Sequence, residues 1–281
     1  MTGRVLGASL ALTSAVLGLA LMLGGPVMFG QAATVLLLPH LLIGDTFHWR
    51  RFPRLSGTAQ GRLLALAGVG FALFLAIRGA GQYGKPLFYV YFFWHFWKDL
   101  TLGLEDAFGD IAKLWTGLAA CAGFAIVSSG LVMDPAILGP AKVGCVAGAA
   151  LLLWSAARKP SDAAVGYRLL AAAVLAACAA IDARHPFREL IPHFIVVWHF
   201  MLWYAFMWSA PGGRTPSLAA FIVAANAASV AAALLYGFHQ PGFEWLRFVF
   251  NFDYLAGCWT VMHVTWDWAP KQVRGIRLAV A

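Results

Sequence analysis

Charge is scarce in this 281-residue chain: Asp, Glu, Lys and Arg together make up 11% of it, against about 25% in ordinary soluble domains. With 61% apolar residues and a mean hydropathy of +0.75, that scarcity excludes a soluble globular domain. Long polar stretches are missing as well. The longest, residues 50–62, spans 13 positions and leaves no room for a separate soluble domain, so 1–281 reads as one integral membrane domain. Cysteine is sparse: Cys121, Cys145, Cys178 and Cys258 all fall in apolar runs and no two share a metal-type spacing. That pattern excludes a disulfide scaffold and a thiolate metal site. HExxH, GxSxG, adjacent-histidine boxes and a phosphate-binding glycine loop are all absent. The obvious intramembrane metalloprotease, serine hydrolase, desaturase and nucleotide-binding readings fall with them.

What the chain does have is a succession of apolar runs long enough to cross about 30 Å of hydrocarbon. The runs predict an all-α polytopic bundle of ten spans, at about 5–23, 27–48, 62–79, 86–104, 112–132, 140–157, 165–182, 189–209, 217–236 and 247–267. Gly24-Gly25-Pro26 separates the first two, residues 79–86 precede the fourth, and Pro211-Gly212-Gly213 follows the eighth. Basic residues in such proteins accumulate on the cytoplasmic side. With a cytoplasmic N-terminus, that side holds 13: Arg4, Arg50, Arg51, Arg54, Arg62, Lys113, Arg158, Lys159, Arg168, Arg214, Lys271, Arg274 and Arg277. The outer side holds 6: Arg78, Lys85, Lys142, Arg184, Arg188 and Arg247. The expected location is the bacterial inner membrane with both termini cytoplasmic. The net charge of +8 then belongs to orientation in the bilayer, with no nucleic-acid partner implied.

Ionisable residues inside a membrane are costly and usually mark a pathway or a site. Counting 1.5 Å per residue from each span's outer end places His95 and His199 at about 14 Å, near the midplane, His40 at about 20 Å and His263 at about 24 Å. His48 falls at the cytoplasmic rim and His193 only about 6 Å in, while His185 and His239 fall in outer loops beside prolines. A lone membrane histidine is often an interhelical hydrogen-bonder. Agreement in depth among independent spans favours ligands instead, and His40, His95, His199 and His263 are the candidate metal ligands. Of His193 and His199, six residues apart, His199 is the choice.

Carboxylates accompany them. Asp99 follows His95 by four residues and Asp267 follows His263 by four, and on a helix i and i+4 share a face. Asp99 and Asp267 are therefore the candidate catalytic carboxylates, as ligands or as groups that orient the imidazoles. Asp45 and His48, three apart, also share a face, whereas His40 and Asp45 match less well. Imidazole with carboxylate and without thiolate suits iron, manganese or zinc. His95 and His199 at matched depth also meet the requirement for haem. Aromatics crowd the same runs: Phe92, Trp94, Trp198, Trp203 and Tyr204 either line a cavity for a long apolar molecule or pack the bundle.

Pro39-His40-Leu41-Leu42-Ile43-Gly44-Asp45 and His95-Phe96-Trp97-Lys98-Asp99 resemble the Pro-His-Gly…Asp and His-Phe-Gly…acid motifs of the Brp/Blh-type bacterial carotenoid dioxygenases. Here the glycine after His40 is absent and Trp97 stands in place of the second motif's glycine. The resemblance implies a polytopic membrane fold, a non-haem iron held by histidines from several spans, with a later ligand on the eighth span at His193 or His199, and oxidative cleavage of a carotenoid.

The expectation is thus a membrane metalloenzyme, a non-haem Fe(2+) oxygenase acting on a long apolar, carotenoid- or lipid-like molecule dissolved in the bilayer. The alternatives are a zinc-dependent intramembrane lipid hydrolase and a non-enzymatic subunit that binds haem, pigment or quinone.

Overall fold

The computed structural model describes residues 3–51, 53, 55–100, 117, 135–160, 165–181, 188, 190–209, 215–237, 241–251 and 254–266. Among them every regular element is a helix and there is no strand. In chain order these are α1 (Gly3–Arg51), α2 (Gly57–Gly79), a 3-10 turn (Gly81–Tyr83), α3 (Gly84–Leu100), α4 (Pro135–Arg158), α5 (Val165–Ala180), α6 (Leu190–Ser209), α7 (Pro216–Gly237), α8 (Leu246–Phe250) and α9 (Leu255–Trp266). Among the described residues, five helices (α1, α2, α4, α6 and α7) are long and apolar enough to cross a membrane. The chain is a helical membrane protein.

α1 runs on for 49 residues but is two arms, not one rod. Gly24 is extended and Gly25 sits at φ 70°, in the left-handed region that glycine enters at no steric cost. The break falls where the sequence separates the first two spans. Predicted spans three, four, six, seven, eight and nine coincide with α2 to α7 to within a few residues. The fifth lies outside the described residues, Gly117 excepted. The tenth differs: residues 247–267 form no continuous helix. α8 ends at Asn251, whose extended backbone (φ −86°, ψ 127°) stops the helix, and α9 restarts at Leu255 as a helix of 12 residues. The eight steps from Leu255 to His263 amount to about 12 Å of helix, so a count of about 24 Å through one unbroken span does not apply to His263.

The chain divides into two compact units, one of residues 1–30 and 85–207 and the other of residues 31–84 and 208–281. In the first, α4 and α5 pack through small residues. Cys145, Ala149, Leu152 and Ala156 form one buried face and Ala171, Leu175 and Cys178 the other, each repeating at the helical three-to-four spacing. Two buried hydroxyls on the first arm of α1 are satisfied locally, Ser9 Oγ donating to the Leu6 carbonyl at 2.8 Å and Thr13 Oγ1 to the Ser9 carbonyl at 2.7 Å. Arg168, placed by its charge among the cytoplasmic flanks, is instead 1% exposed within α5 beside the equally buried Tyr167. It is a core residue of α5.

In the second unit, α2 and α9 pack closely. A Cβ built on Gly70 would stand 2.8 Å from Met262 Cα and 3.0 Å from Thr265 Oγ1, so only glycine permits this approach. Trp266 closes the same seam, its Nε1–H donating to the Leu63 carbonyl at 3.2 Å. Ser229 Oγ on α7 donates to the Val35 carbonyl of the second α1 arm at 2.7 Å. The Arg78 guanidinium lies 5.0 Å from the Tyr254 ring centroid, capping α2 with a cation–π contact.

Candidate functional site

Each unit buries one pair of imidazoles. In the second unit, the α1 arm beyond its glycine break carries His40 and Asp45, both 5% exposed. α9 brings His263 against them. Its Nδ1 lies 2.8 Å from Asp45 Oδ1, and its ring meets that of His40 edge-on with centroids 5.5 Å apart. The other carboxylate oxygen, Asp45 Oδ2, accepts the Nε1–H of Trp259 at 2.5 Å. A Cβ on Gly44 would stand 3.4 Å from His263 Cε1, so the ring rests on the α1 backbone at a position with no side chain.

Two donors from one face of α9 thus grip both oxygens of one buried carboxylate on α1. Burial of an unpaired charge costs several kcal/mol; here two hydrogen bonds meet it. A carboxylate is an acceptor, so the hydrogen in this contact is donated by Nδ1 of His263. That is the arrangement of metal-ligating histidines, which commonly donate their other ring N–H to a carboxylate or carbonyl.

In the first unit, His95 on α3 and His199 on α6 are 4% and 1% exposed, with ring centroids 4.8 Å apart at 71°. Matched depth in the sequence corresponds here to direct contact. Phe96 packs against His199 at 4.5 Å and Phe92 against Phe96 at 4.2 Å, and Trp203 stands 6.4 Å from His199. Trp198 is fully buried but turns toward Tyr167, 6.4 Å away. Trp94 and Tyr204 are half-buried, and a Cβ on Gly117 would fall 2.5 Å from the Trp94 ring. Two imidazoles in edge contact leave no gap for a porphyrin plane, so this geometry does not fit haem held between them.

The structure adds one carboxylate contact that the sequence pairings did not include. The group on His263 is Asp45, 218 positions away. Asp267 lies outside the described residues, as do His185 and His239, and the side chains of Asp99 and His48 are likewise not described. His193 is half-buried against Gly30, a Cβ at that glycine falling 3.0 Å from its ring. Among the described residues no three His, Cys, Asp or Glu side chains stand close enough together to share an ion. Sequence reasoning missed Trp259, which carries no signal beyond its i, i+4 spacing from His263, and weighed Asp45 only against His48 and His40 and within the Pro39–Asp45 motif, never against His263. No family model, no curated protein and no solved structure matches the chain.

Proposed function

We propose that this chain is a membrane-embedded, histidine-ligated metalloenzyme: a non-haem iron oxygenase acting on a long apolar, carotenoid- or lipid-like molecule that reaches it from the bilayer. In this reading the chain crosses the bacterial inner membrane ten times with both termini in the cytoplasm. The 13-to-6 distribution of basic residues supports that orientation. One observation carries the functional part: Asp45 accepts from His263 Nδ1 while His40 stands beside the same ring. The donor set is neutral imidazole with a carboxylate behind it and no thiolate, which suits iron or zinc. His263 and His40 would hold the metal, and Asp45 fixes the angle of His263. Ferrous iron bound there would supply O₂ binding and activation. In the first unit His95 and His199 form a second candidate pair of imidazoles by themselves, and Phe92, Trp94, Trp198, Trp203 and Tyr204 on the same two helices give that pair an aromatic surrounding of the kind that suits a polyene or acyl chain. Asp99 keeps its assigned part as the carboxylate that orients His95, and Asp267 as a further acidic group after His263.

Metal analysis of the full chain purified in detergent tests this. The expected result is iron in excess of zinc with no Soret absorption. Iron should be lost in His40→Ala and His263→Ala and retained in His239→Ala. Zinc alone would replace the oxygenase by the zinc-dependent lipid hydrolase, a Soret band would replace it by a haem-binding subunit, and a metal-free protein would sink the metalloenzyme reading.

A further inference from the structure

We propose that Trp259 is a positioning residue that sets the tautomer of His263. The inference takes its purpose from the reading of His263 as a ligand, but its geometry stands without any metal. Trp259 and His263 are four residues apart on α9 and so share a face. Both reach Asp45, the indole N–H to Oδ2 at 2.5 Å and the imidazole Nδ1 to Oδ1 at 2.8 Å. An indole N–H only donates, which commits Oδ2 to accepting. With that oxygen occupied, rotation of the carboxylate breaks a bond, and Oδ1 stays aimed at Nδ1. Water competes little, since the side chains of His263 and Asp45 are 14% and 7% exposed. The proton is therefore held on Nδ1, and Nε2 keeps its lone pair on the atom next to Cε1. Cε1 of the ring lies over Gly44, 3.4 Å from a Cβ built there. Without the indole N–H the carboxylate is free to turn, and the neutral imidazole populates both tautomers.

Nitrogen-15 NMR of the full chain, labelled at histidine, treated with chelator and held in lipid nanodiscs, reads this directly. The His263 signals are assigned by their loss in His263→Gln. The wild type should show Nδ1 protonated and Nε2 unprotonated. Trp259→Phe keeps the aromatic bulk and removes the donor, and it should shift the tautomer ratio at least tenfold toward a mixture. In parallel it should weaken cobalt(II) binding, followed by the cobalt absorption bands, by about 10–100-fold. Should Trp259→Phe not fold, Asp45→Asn gives a second route. Its amide must turn an N–H toward one of the two donors, and it should redistribute the tautomers in the same way. A wild type protonated on Nε2, or a folded Trp259→Phe with an unchanged ratio, overturns the inference. A tryptophan that merely ties α9 to α1 would lower the melting temperature in Trp259→Phe and leave the ratio alone. A wild type with the expected tautomer that binds no cobalt overturns the metalloenzyme reading and leaves this one standing.

Discussion

Asp45 receives hydrogen bonds from residues 214 and 218 positions further along the chain, and it is the residue on which the second unit's site depends. Truncating it strands two donors in a buried setting. Each unsatisfied group costs about 1–3 kcal/mol, so Asp45→Ala should lower the thermal midpoint of the detergent-solubilised protein clearly. Asp45→Asn, which still accepts one of the two bonds, should lower it less. Equal midpoints for Asp45→Ala and the wild type would mean that the grip contributes nothing to stability. The histidines themselves were legible one by one, because an ionisable group in an apolar run declares itself. His95 and His199 were legible even as a pair, since depth along a helix is simple arithmetic. The carboxylate of His263 was not. The i, i+4 rule looks along a single helix and points to Asp267, which lies outside the described residues; Asp45 comes from another helix, and nothing local encodes that approach.

At the level of elements, apolar length located the helices well and glycine chemistry located the breaks unevenly. Gly24-Gly25 is both a visible signal and a real break, with Gly25 at φ 70°. The break after α8 has no such signal. Asn251 simply turns extended inside a run whose composition reads as one span, so the tenth span seems continuous in the sequence and is not. Glycine also sets how closely helices approach, and here two residues of α2 make a controlled comparison. A Cβ at Gly70 would meet the α9 backbone at Met262, while a Cβ at Gly68 has nothing within 4 Å. Backbone cannot move aside as a side-chain tip can, and overpacking of this kind costs about 1–3 kcal/mol. Gly70→Ala should therefore lower the detergent melting temperature and loosen the α2–α9 seam, and Gly68→Ala should leave both unchanged or slightly improved. Matching melting temperatures for the two variants would show that the close approach at Gly70 is not required.

For the molecule as a whole, the proposed topology hangs on a charge asymmetry of 13 against 6. The second unit offers the sharpest test, because α2 is one continuous helix of 23 residues, about 34 Å at 1.5 Å per residue, enough to cross the hydrocarbon. Its N-terminal end is capped by Ser56, whose side chain accepts the Ala59 N–H at 3.3 Å, and lies within the arginine-rich stretch 50–62. Its other end leads through Ala80 into the turn at Gly81–Tyr83. Thr58 near the first end and Tyr83 after the second are both exposed, so a cysteine at either position disturbs little packing. In intact cells a membrane-impermeant maleimide should label Tyr83→Cys and spare Thr58→Cys. Permeabilised cells should label both, with the unsubstituted chain giving the background from its four native cysteines. The reverse pattern would invert the orientation and place residues 50–62 outside, against the positive-inside bias. Labelling of both sites in intact cells would mean that α2 lies along the surface, and the ten-span count would fall with it.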